Sequence, residues 1–418
     1  MRLVSMVLTL VFFNDCIGQD TPIVEQILIL GNIKTKREYL EKFIQTQPGD
    51  KLDTLKIDED LRKLRNLSSI LETKWHTTPH GNNVILIYEI TERITIFPLG
   101  DFGVSHGQNY FGVGAMETNA FGRGIYLYGF YRYNGEHSIH TIFKIPYLKG
   151  SNYGLHARFI AWNSRDPYYI PPEKRTYLYS FIDAKLSLKY EFNTDHRILA
   201  GIVYLQEDYE LIDIEASENW PQYTYLEKPG FQINHTKQFL NYDYFRLSGY
   251  RNRVYLNWLK PLQPQYQSYF TITNELKLFK TIPGGGNIAF RNFLGYSTQQ
   301  FEPFTTFTLD SYENIRGIGY KSRRGHSIAI INAEYRQTLF KGDYLGFQLV
   351  GFTDMGAVKQ TGFSFSEMFS SNNIEMYYGL GTRIVVLQAQ NAVLRLDYGI
   401  STNNFNNRNF VFSWGQYF

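Results

Sequence analysis

Cysteine is almost missing from this chain of 418 residues, in which Cys16 is the only one. Cys16 lies inside an N-terminal pattern that we expect to be cleaved, so the mature protein would contain no cysteine. A chain without cysteine has no disulfide framework, no thiolate metal site and no cysteine nucleophile. The sequence therefore excludes a disulfide-stabilised fold, a cysteine-ligated metal site and a cysteine-dependent enzyme.

Long apolar runs are also missing beyond the N-terminus. Arg2 precedes the apolar run Leu3–Phe13, and the small residues Cys16 and Gly18 complete a pattern that predicts a signal peptide over residues 1–18. Lipidation at Cys16 is the alternative, although polar residues precede it where a lipoprotein signal has small ones. We expect no transmembrane helix after this segment, because such a helix needs about 20 consecutive apolar residues.

A strong excess of charge of either sign is absent as well. The formal net charge is +3, and charged residues make up 19% of the chain. A dedicated nucleic-acid surface carries clustered basic residues, and a site for acidic substrates carries a strong positive field. We therefore expect no nucleic-acid partner.

Aromatic residues, in contrast, are abundant: the chain contains 33 Tyr and 32 Phe, with 34 Gly, at a mean hydropathy of −0.31. In a membrane β-barrel, lipid-facing and lumen-facing residues alternate, so average hydropathy stays modest while aromatic residues collect at both interfaces. The composition favours such a barrel. A secreted soluble β-sandwich rich in tyrosine is the open alternative, because the barrel signal per strand is weak.

Residues 22–93 differ from the rest because they combine strand patterns with helical ones. Ile23–Leu30 predicts a strand, and Thr35 with Glu38 predicts a capping box that opens a first helix. The apolar face of this helix comprises Tyr39, Leu40, Phe43 and Ile44, and that of a second predicted helix comprises Ile57, Leu61 and Leu64.

The second helix is predicted to begin near Asp53, and two strands over about 70–77 and 84–91 follow on either side of a turn. This order of elements, together with Pro48-Gly49-Asp50, resembles the polypeptide-transport-associated (POTRA) domain found before outer-membrane assembly barrels. A three-stranded mixed sheet with two helices on one face leaves an exposed strand edge, onto which an extended client chain can add. The alternative is a spacer, or a docking surface for a periplasmic or lipoprotein partner.

From Arg93 onward, short alternating segments separated by turns replace helical periodicity. The clearest are Ser327–Phe340 and Ala392–Asn403, in which apolar residues alternate with polar ones. Their polar faces mix charges with glycine, serine and asparagine, which favours a wet lumen over the charged surface of a sandwich. We therefore predict an all-β transmembrane barrel over residues 94–418. An aromatic and charged stretch, Glu207–Phe231, is expected to be an extracellular loop.

Three glycine-containing motifs follow one another toward the C-terminus. The first comprises Ile315, Arg316, Gly317, Gly319 and Tyr320, the second Phe352, Asp354 and Gly356, and the third Gly379, Gly381 and Arg383. In this order, ahead of an aromatic C-terminus, they resemble the motifs of the BamA/TamA family of outer-membrane barrels that insert or translocate proteins. The resemblance also includes Asn119–Gly124, and it implies about 16 antiparallel strands.

The resemblance implies that Arg316 lies at the tip of a loop folded back into the lumen, where it pairs with Asp354 on the wall. Strand parity places Asp354 and Gly356 on the lumen side, and Arg383 also faces inward. Glycines allow a loop backbone to approach a strand closely. The alternative is that Arg316 is a solvated loop arginine.

The final segment carries aromatic residues at two-residue spacing: Phe410, Phe412, Trp414 and Phe418. In outer-membrane barrels such a C-terminus serves as a recognition tag for assembly; lipid-facing aromatic residues without that role are the alternative. We expect the last strand, near Phe410–Phe418, to pair with the first, near Ile94–Ser105, and so to close the barrel.

Residues arranged for catalysis or metal binding are scarce. His137 and His140 would lie on opposite faces of a strand, and Gly284–Gly286 lacks the residues of a phosphate loop. We expect no enzyme, no cofactor and no metal. The predicted function is outer-membrane protein assembly or translocation by a barrel with its N-terminal domain in the periplasm. A passive pore, receptor or surface-binding barrel is the alternative.

Overall fold

A computed structural model describes residues 21–105, 108–170, 173–212, 220–301, 303–359, 364–389 and 392–418. The expected signal peptide and Cys16 lie outside these residues. The helices are α1 (Arg37–Leu40), α2 (Thr54–Arg65) and α3 (Phe365–Met368), and a short 3-10 helix spans Glu41–Phe43. None of the helices in the described part of the chain has the length and apolarity needed to cross a membrane.

Strands make up most of the fold. In the N-terminal domain they are β1 (Val24–Leu30), β2 (Ile70–His80) and β3 (Asn83–Glu92). The first half of the large sheet contains β4 (Ile96–Ser105), β5 (Gln108–Ala120), β6 (Ile125–Tyr133), β7 (His137–Ile145), β8 (Tyr153–Ile170), β9 (Glu173–Asn193), β10 (His196–Leu211) and β11 (Tyr223–Asp243). The strands that follow are β12 (Arg246–Leu259), β13 (Tyr269–Ile282), β14 (Gly286–Ser297), β15 (Phe307–Leu309), β16 (Arg323–Gly325), β17 (Ser327–Lys341), β18 (Leu345–Lys359), β19 (Glu375–Val386), β20 (Val393–Ser401) and β21 (Arg408–Trp414).

The N-terminal domain is a mixed sheet in the order β1-β3-β2, with β1 parallel and β2 antiparallel to β3. Helix α2 begins after Asp53, whose carboxylate accepts hydrogen bonds from the main-chain N–H groups of Leu55 and Lys56. The helices and sheet enclose one apolar core that includes Leu40, Ile57 and the other predicted helix-face residues. The predicted order of elements is confirmed.

The predicted capping box at Thr35 is wrong. Helix α1 begins after Lys36, and no side chain caps it. The Thr35 hydroxyl instead accepts a hydrogen bond from Asn119 of the large sheet, and its main-chain N–H donates to Glu92. A hydrogen bond between the two domains has therefore replaced the helix cap that was predicted for Thr35.

The large sheet contains 16 strands in the order β21-β20-β19-β18-β17-β14, followed by β13 to β4 in reverse chain order. Every neighbouring pair is antiparallel, which confirms the predicted fold class and the strand number that the resemblance implied. The long loop 298–326, between β14 and β17, carries β15 and β16, which form a separate two-stranded sheet among the described residues. This loop packs Leu309 and Ile315 against Ile330 and Val358 on the inner wall.

The prediction of an extracellular loop over Glu207–Phe231 is wrong. Strand β10 continues to Leu211 and β11 already begins at Tyr223, so most of this stretch belongs to a long hairpin. Strands β9 and β11 each have 21 residues, whereas about 9 to 11 are enough to cross a bilayer. The hairpins extend past the membrane, and rings on their inner side, such as Tyr177 and Tyr209, form an aromatic cluster.

Strands β4 and β21 are the two ends of the sheet, and no main-chain pairing joins them among the described residues. The expected closing ladder is therefore absent from this part of the chain. Strand β21 ends at Trp414, because Gly415 has a φ of +85° and turns the backbone out of the extended conformation. Phe418, predicted to lie on the last strand, instead packs in the lumen near Leu240 and Phe279.

Candidate functional site

Arg316 and Asp354 form the centre of the site. The Arg316 main-chain N–H and Nε donate to one Asp354 carboxylate oxygen at 2.9 and 2.8 Å, and its Nη2 donates to the other at 2.8 Å. Asn332 on the neighbouring strand β17 also donates to Asp354, at 2.8 Å. This bidentate arrangement fixes both the position and the orientation of the loop tip.

The rest of the Arg316 guanidinium is enclosed by a second acid and two rings. Its Nη1 donates to Glu334, and its planar carbon lies 3.6 Å from the ring centre of Phe352 and 4.1 Å from that of Tyr417. Arg316 is fully buried. Burial alone would lower the pKa of Arg316, but Asp354 and Glu334 raise it above the usual arginine value, so the charge is kept.

Arg383 does not contact Arg316 directly. It lies 3.7 Å from the Glu334 carboxylate and donates to Asp397 at 2.7 Å, so these two acids connect the arginines. Arg336 also donates to Glu334, at 2.7 Å. The site is thus a buried network of alternating charges, and removal of one member leaves another uncompensated.

Glycines allow the loop backbone to lie against the wall. A Cβ atom on Gly317 would lie 2.6 Å from the Gly399 carbonyl oxygen, and one on Gly399 would lie 2.3 Å from the Arg316 oxygen. A Cβ atom on Gly356 would meet Ile315 at 2.6 Å. Side chains at these positions would push the loop away from the wall, whereas Gly319 has no atom within 4 Å of such a Cβ.

The loop has a second anchor at Asp166 on β8. Its carboxylate accepts hydrogen bonds from the Tyr320 hydroxyl at 2.9 Å, from Arg324 at 3.2 Å and from the Lys321 ammonium group. Burial, followed by the charge of Asp166, raises the pKa of Tyr320, which keeps the hydroxyl protonated as a donor. Sequence reasoning missed Asp166, because no motif marks it and it precedes its partners by more than 150 residues.

The C-terminal aromatic residues divide into two groups. Phe410, Phe412 and Trp414 point outward and are well exposed, as expected for lipid-facing positions. Phe418 turns inward, and its main-chain oxygen accepts a hydrogen bond from Arg336 at 3.2 Å. Tyr417, which sequence reasoning did not single out, stacks on Arg316. The residues that follow β21 therefore contribute to the loop anchor.

Comparison with protein-family models gives two matches that together span most of the chain. Residues 119–418 match the Omp85 superfamily domain, and residues 22–93 match the POTRA model, described as a surface antigen variable number repeat. This chain belongs to the Omp85 superfamily. No curated protein matches its sequence.

Solved structures share this Omp85 fold. BamA from Haemophilus ducreyi lacking POTRA domains 1–3 has a TM-score of 0.55 at 14% identity, covering 94% of this chain and 83% of that one. CdiB from Acinetobacter baumannii has a TM-score of 0.58 at 13% identity, covering 94% and 73%. CdiB from Escherichia coli has a TM-score of 0.59 at 10% identity, covering 93% and 75%. Family and fold support a role in outer-membrane protein insertion or secretion, with the POTRA domain in the periplasm.

The POTRA domain of this Omp85 protein docks on the periplasmic turns of the barrel. Arg62 on α2 donates to Asp195 at 3.2 Å and to the Leu240 carbonyl oxygen at 2.9 Å. Burial alone would lower the pKa of Arg62, but Glu59 and Asp195 raise it. Gly122, in the turn that resembles the family motif, accepts a hydrogen bond from the Lys36 N–H at 2.8 Å. The domain therefore lies against several of these turns.

The described residues include no cluster of three or more His, Cys, Asp or Glu side chains that could hold a metal ion. The buried charges around the loop tip of this Omp85 barrel are instead paired with each other, through Glu334, Asp354 and Asp397. Such a network can hold a loop against a wall and can resist its displacement.

Proposed function

We propose that this Omp85 protein inserts or exports client polypeptides, without enzymatic chemistry, and that the client enters through the seam between β4 and β21. The observation that carries this proposal is the lack of main-chain pairing between these two end strands in the described residues. An end strand has free N–H and C=O groups, onto which an extended chain can add as a new strand. A client strand can therefore pair with β4 or β21 at the seam.

The loop held inside the lumen favours client entry through the seam over passage through the lumen. Loop 298–326 is held at Asp354 on one wall and at Asp166 on another, and Tyr417 covers its tip. A client passing straight through the lumen would have to break both anchors. A client using the seam would move β4 and β21, and of the loop contacts it would disturb those with Asn409 and Tyr417 while leaving both anchors in place.

The POTRA sheet supplies a delivery surface for this function. Strands β1 and β2 are its two outer strands, and each pairs with β3, although Val24 at the start of β1 also forms main-chain hydrogen bonds with Gly49 and Asp50. We propose that client polypeptides, and a periplasmic or lipoprotein partner, add to these edges by main-chain hydrogen bonds. Outer-membrane lipid surrounds the outward aromatic residues of the barrel.

The test is a reversible lock across the seam, made by introducing one cysteine in residues 97–101 and one in residues 409–413. A matched control joins Leu396→Cys to Phe412→Cys, which lie directly opposite each other on strands that are already paired. Client assembly should stop when the seam is locked and should return when a reducing agent is added. The control disulfide should change nothing.

Normal assembly with a locked seam would overturn the seam mechanism. In that case, loss of assembly after cross-linking loop 298–326 to the wall would indicate passage through the lumen. A chain that supports no client in any form would be a passive pore, receptor or surface-binding barrel.

A further inference from the structure

A second internal site lies between the POTRA domain and the barrel wall, away from Arg316. It is a cavity of about 450 Å³ lined by Tyr39, Phe43 and Lys63 of the POTRA domain and by residues of β6 to β12. We call it the cationic chamber, because its charged lining residues are Lys63, Lys144, Lys189, Arg197 and Arg253 against Glu191 and Asp195.

The two acids of the cationic chamber are already engaged. Glu191 accepts hydrogen bonds from Lys189 at 2.7 Å and from the Tyr147 hydroxyl, and Asp195 pairs with Arg62 outside the chamber. Lys63 has an acid of its own in Glu59, at 3.6 Å, so Lys144, Arg197 and Arg253 are the lining cations that form no ion pair among the described residues. Buried like charges are unfavourable, since a low-dielectric surrounding strengthens their repulsion.

Three of the cations, Lys144, Arg197 and Arg253, form no hydrogen bond or ion pair within the described part of the chain. The Arg253 Nε is buried and has no hydrogen-bond partner among the described residues, and the Lys144 ammonium group lies 4.6 Å from the ring centre of Tyr126. This arrangement presents several donors to an anion at once.

Strand register builds part of this arrangement. Arg197 on β10 lies opposite Thr236 on β11, which in turn lies opposite Arg253 on β12. A planar guanidinium binds a carboxylate through two parallel hydrogen bonds. Two arginines on either side of a hydroxyl group therefore form a receptor for carboxylates, and the Asn234 and Gln238 amides of the lining can bind a peptide backbone.

We propose that the cationic chamber binds an acidic segment of a client polypeptide on its way from the POTRA domain to the barrel. This inference rests on the proposed function and names a feature of its substrates. The lining comes from both domains, as a transfer site requires. The chamber lies inside the wall formed by β6 to β12, whereas the seam is formed by the two ends of the sheet, β4 and β21. A lipid headgroup attached to its acyl chains therefore has no direct route to it.

The experiment uses the full-length protein in lipid vesicles and a fluorescent acidic peptide, compared with its counterpart in which each Asp is replaced by Asn. The acidic peptide should bind at least about tenfold more tightly, and Arg197→Gln with Arg253→Gln should remove that preference, since each charged hydrogen bond contributes about a factor of ten. Added salt should weaken binding of the acidic peptide only.

A matched control removes two cations elsewhere. Lys174→Gln with Arg175→Gln has the same change in net charge, in the hairpin at the opposite end of β9. This control should keep the peptide preference. Both double variants should migrate as folded barrels on unheated gels, so that loss of binding is not loss of fold.

Two results would overturn the inference: equal binding of the two peptides, or a preference that survives in the Arg197→Gln, Arg253→Gln variant. Competition by tripolyphosphate with no binding of the acidic peptide would also overturn it, in favour of a small-anion site. Peptide binding needs no client assembly. Preserved binding in a protein that assembles no client would therefore contradict the proposed function alone.

Discussion

The Arg316 guanidinium carbon lies 4.1 Å from the ring centre of Tyr417, and this stack joins the tip of loop 298–326 to the C-terminal end of the chain. Asn409 on β21 also donates a hydrogen bond to the Gly317 carbonyl oxygen at 2.9 Å. Strand β21 and the tip of loop 298–326 are therefore joined by direct contacts. If β21 moves, either the loop moves with it or the Tyr417 stack and the Asn409 hydrogen bond break.

The pairing of Arg316 with Asp354 can be tested by a double-mutant cycle. Arg316→Gln and Asp354→Asn should each destabilise the barrel by about 3 to 5 kcal/mol, because each leaves a buried charge uncompensated. The double variant should cost clearly less than the sum of the two. Urea unfolding of the protein in vesicles measures the three free energies. Additive costs would contradict direct pairing.

Because Asp166 is the second anchor, Asp166→Asn should release residues 320–325, the part of the loop that follows its tip. The carboxylate charge that binds Lys321 and Arg324 is removed, so hydrogen exchange of residues 320–325 should increase while that of residues 314–317 stays slow. Asp183→Asn is the matched control, because Asp183 pairs with Arg158 and not with the loop. Unchanged exchange at 320–325 would remove Asp166 from the anchor.

Two glycines of the loop tip allow steric contact to be separated from backbone strain. Gly317 and Gly319 have φ values of +96° and +103°, so alanine at either position costs about 1 to 2 kcal/mol in strain. Only Gly317→Ala also places a Cβ atom against Gly399. Thermal unfolding should therefore show a larger loss for Gly317→Ala than for Gly319→Ala. Equal losses would mean that the close approach does not matter.

Phe418 can be tested for two roles, packing and recognition. Its ring is buried in the lumen, so Phe418→Ala should reduce the unfolding free energy of protein refolded in vitro by about 3 to 5 kcal/mol. Phe410→Ala, at an exposed lipid-facing position, is the comparison. If refolded Phe418→Ala is as stable as the unchanged protein but fails to assemble in cells, the residue acts as an assembly tag alone.

Docking of the POTRA domain should depend on Arg62. Arg62→Ala removes the contacts with Asp195 and Leu240, and also a stack on the Phe239 ring at 4.1 Å. Spin-label distances between the domain and the barrel should broaden. Arg37→Ala should have no such effect, since Arg37 forms an exposed pair with Glu41 of the kind that contributes about 0 to 1 kcal/mol. An unchanged distance distribution in Arg62→Ala would show that apolar contacts hold the domain.

Much of this architecture was predictable from short-range patterns. Alternation in Ser327–Phe340 and Ala392–Asn403 predicted strands that face lipid and lumen, because side chains on a strand point to opposite faces in turn. The family resemblance added the strand number and the proximity of Arg316 to Asp354. Parity placed Asp354 inside, where the structure has it.

The sequence by itself thus determined the clearest strands, such as those over Ser327–Phe340 and Ala392–Asn403, and which of their residues face the lumen. Tertiary structure alone decided that Asp166 holds the loop, that Thr35 bonds to Asn119 instead of capping its helix, and that Phe418 turns inward. These contacts join residues far apart in the chain. They depend on strand register, loop path and domain docking, which the local periodicity of a strand does not encode.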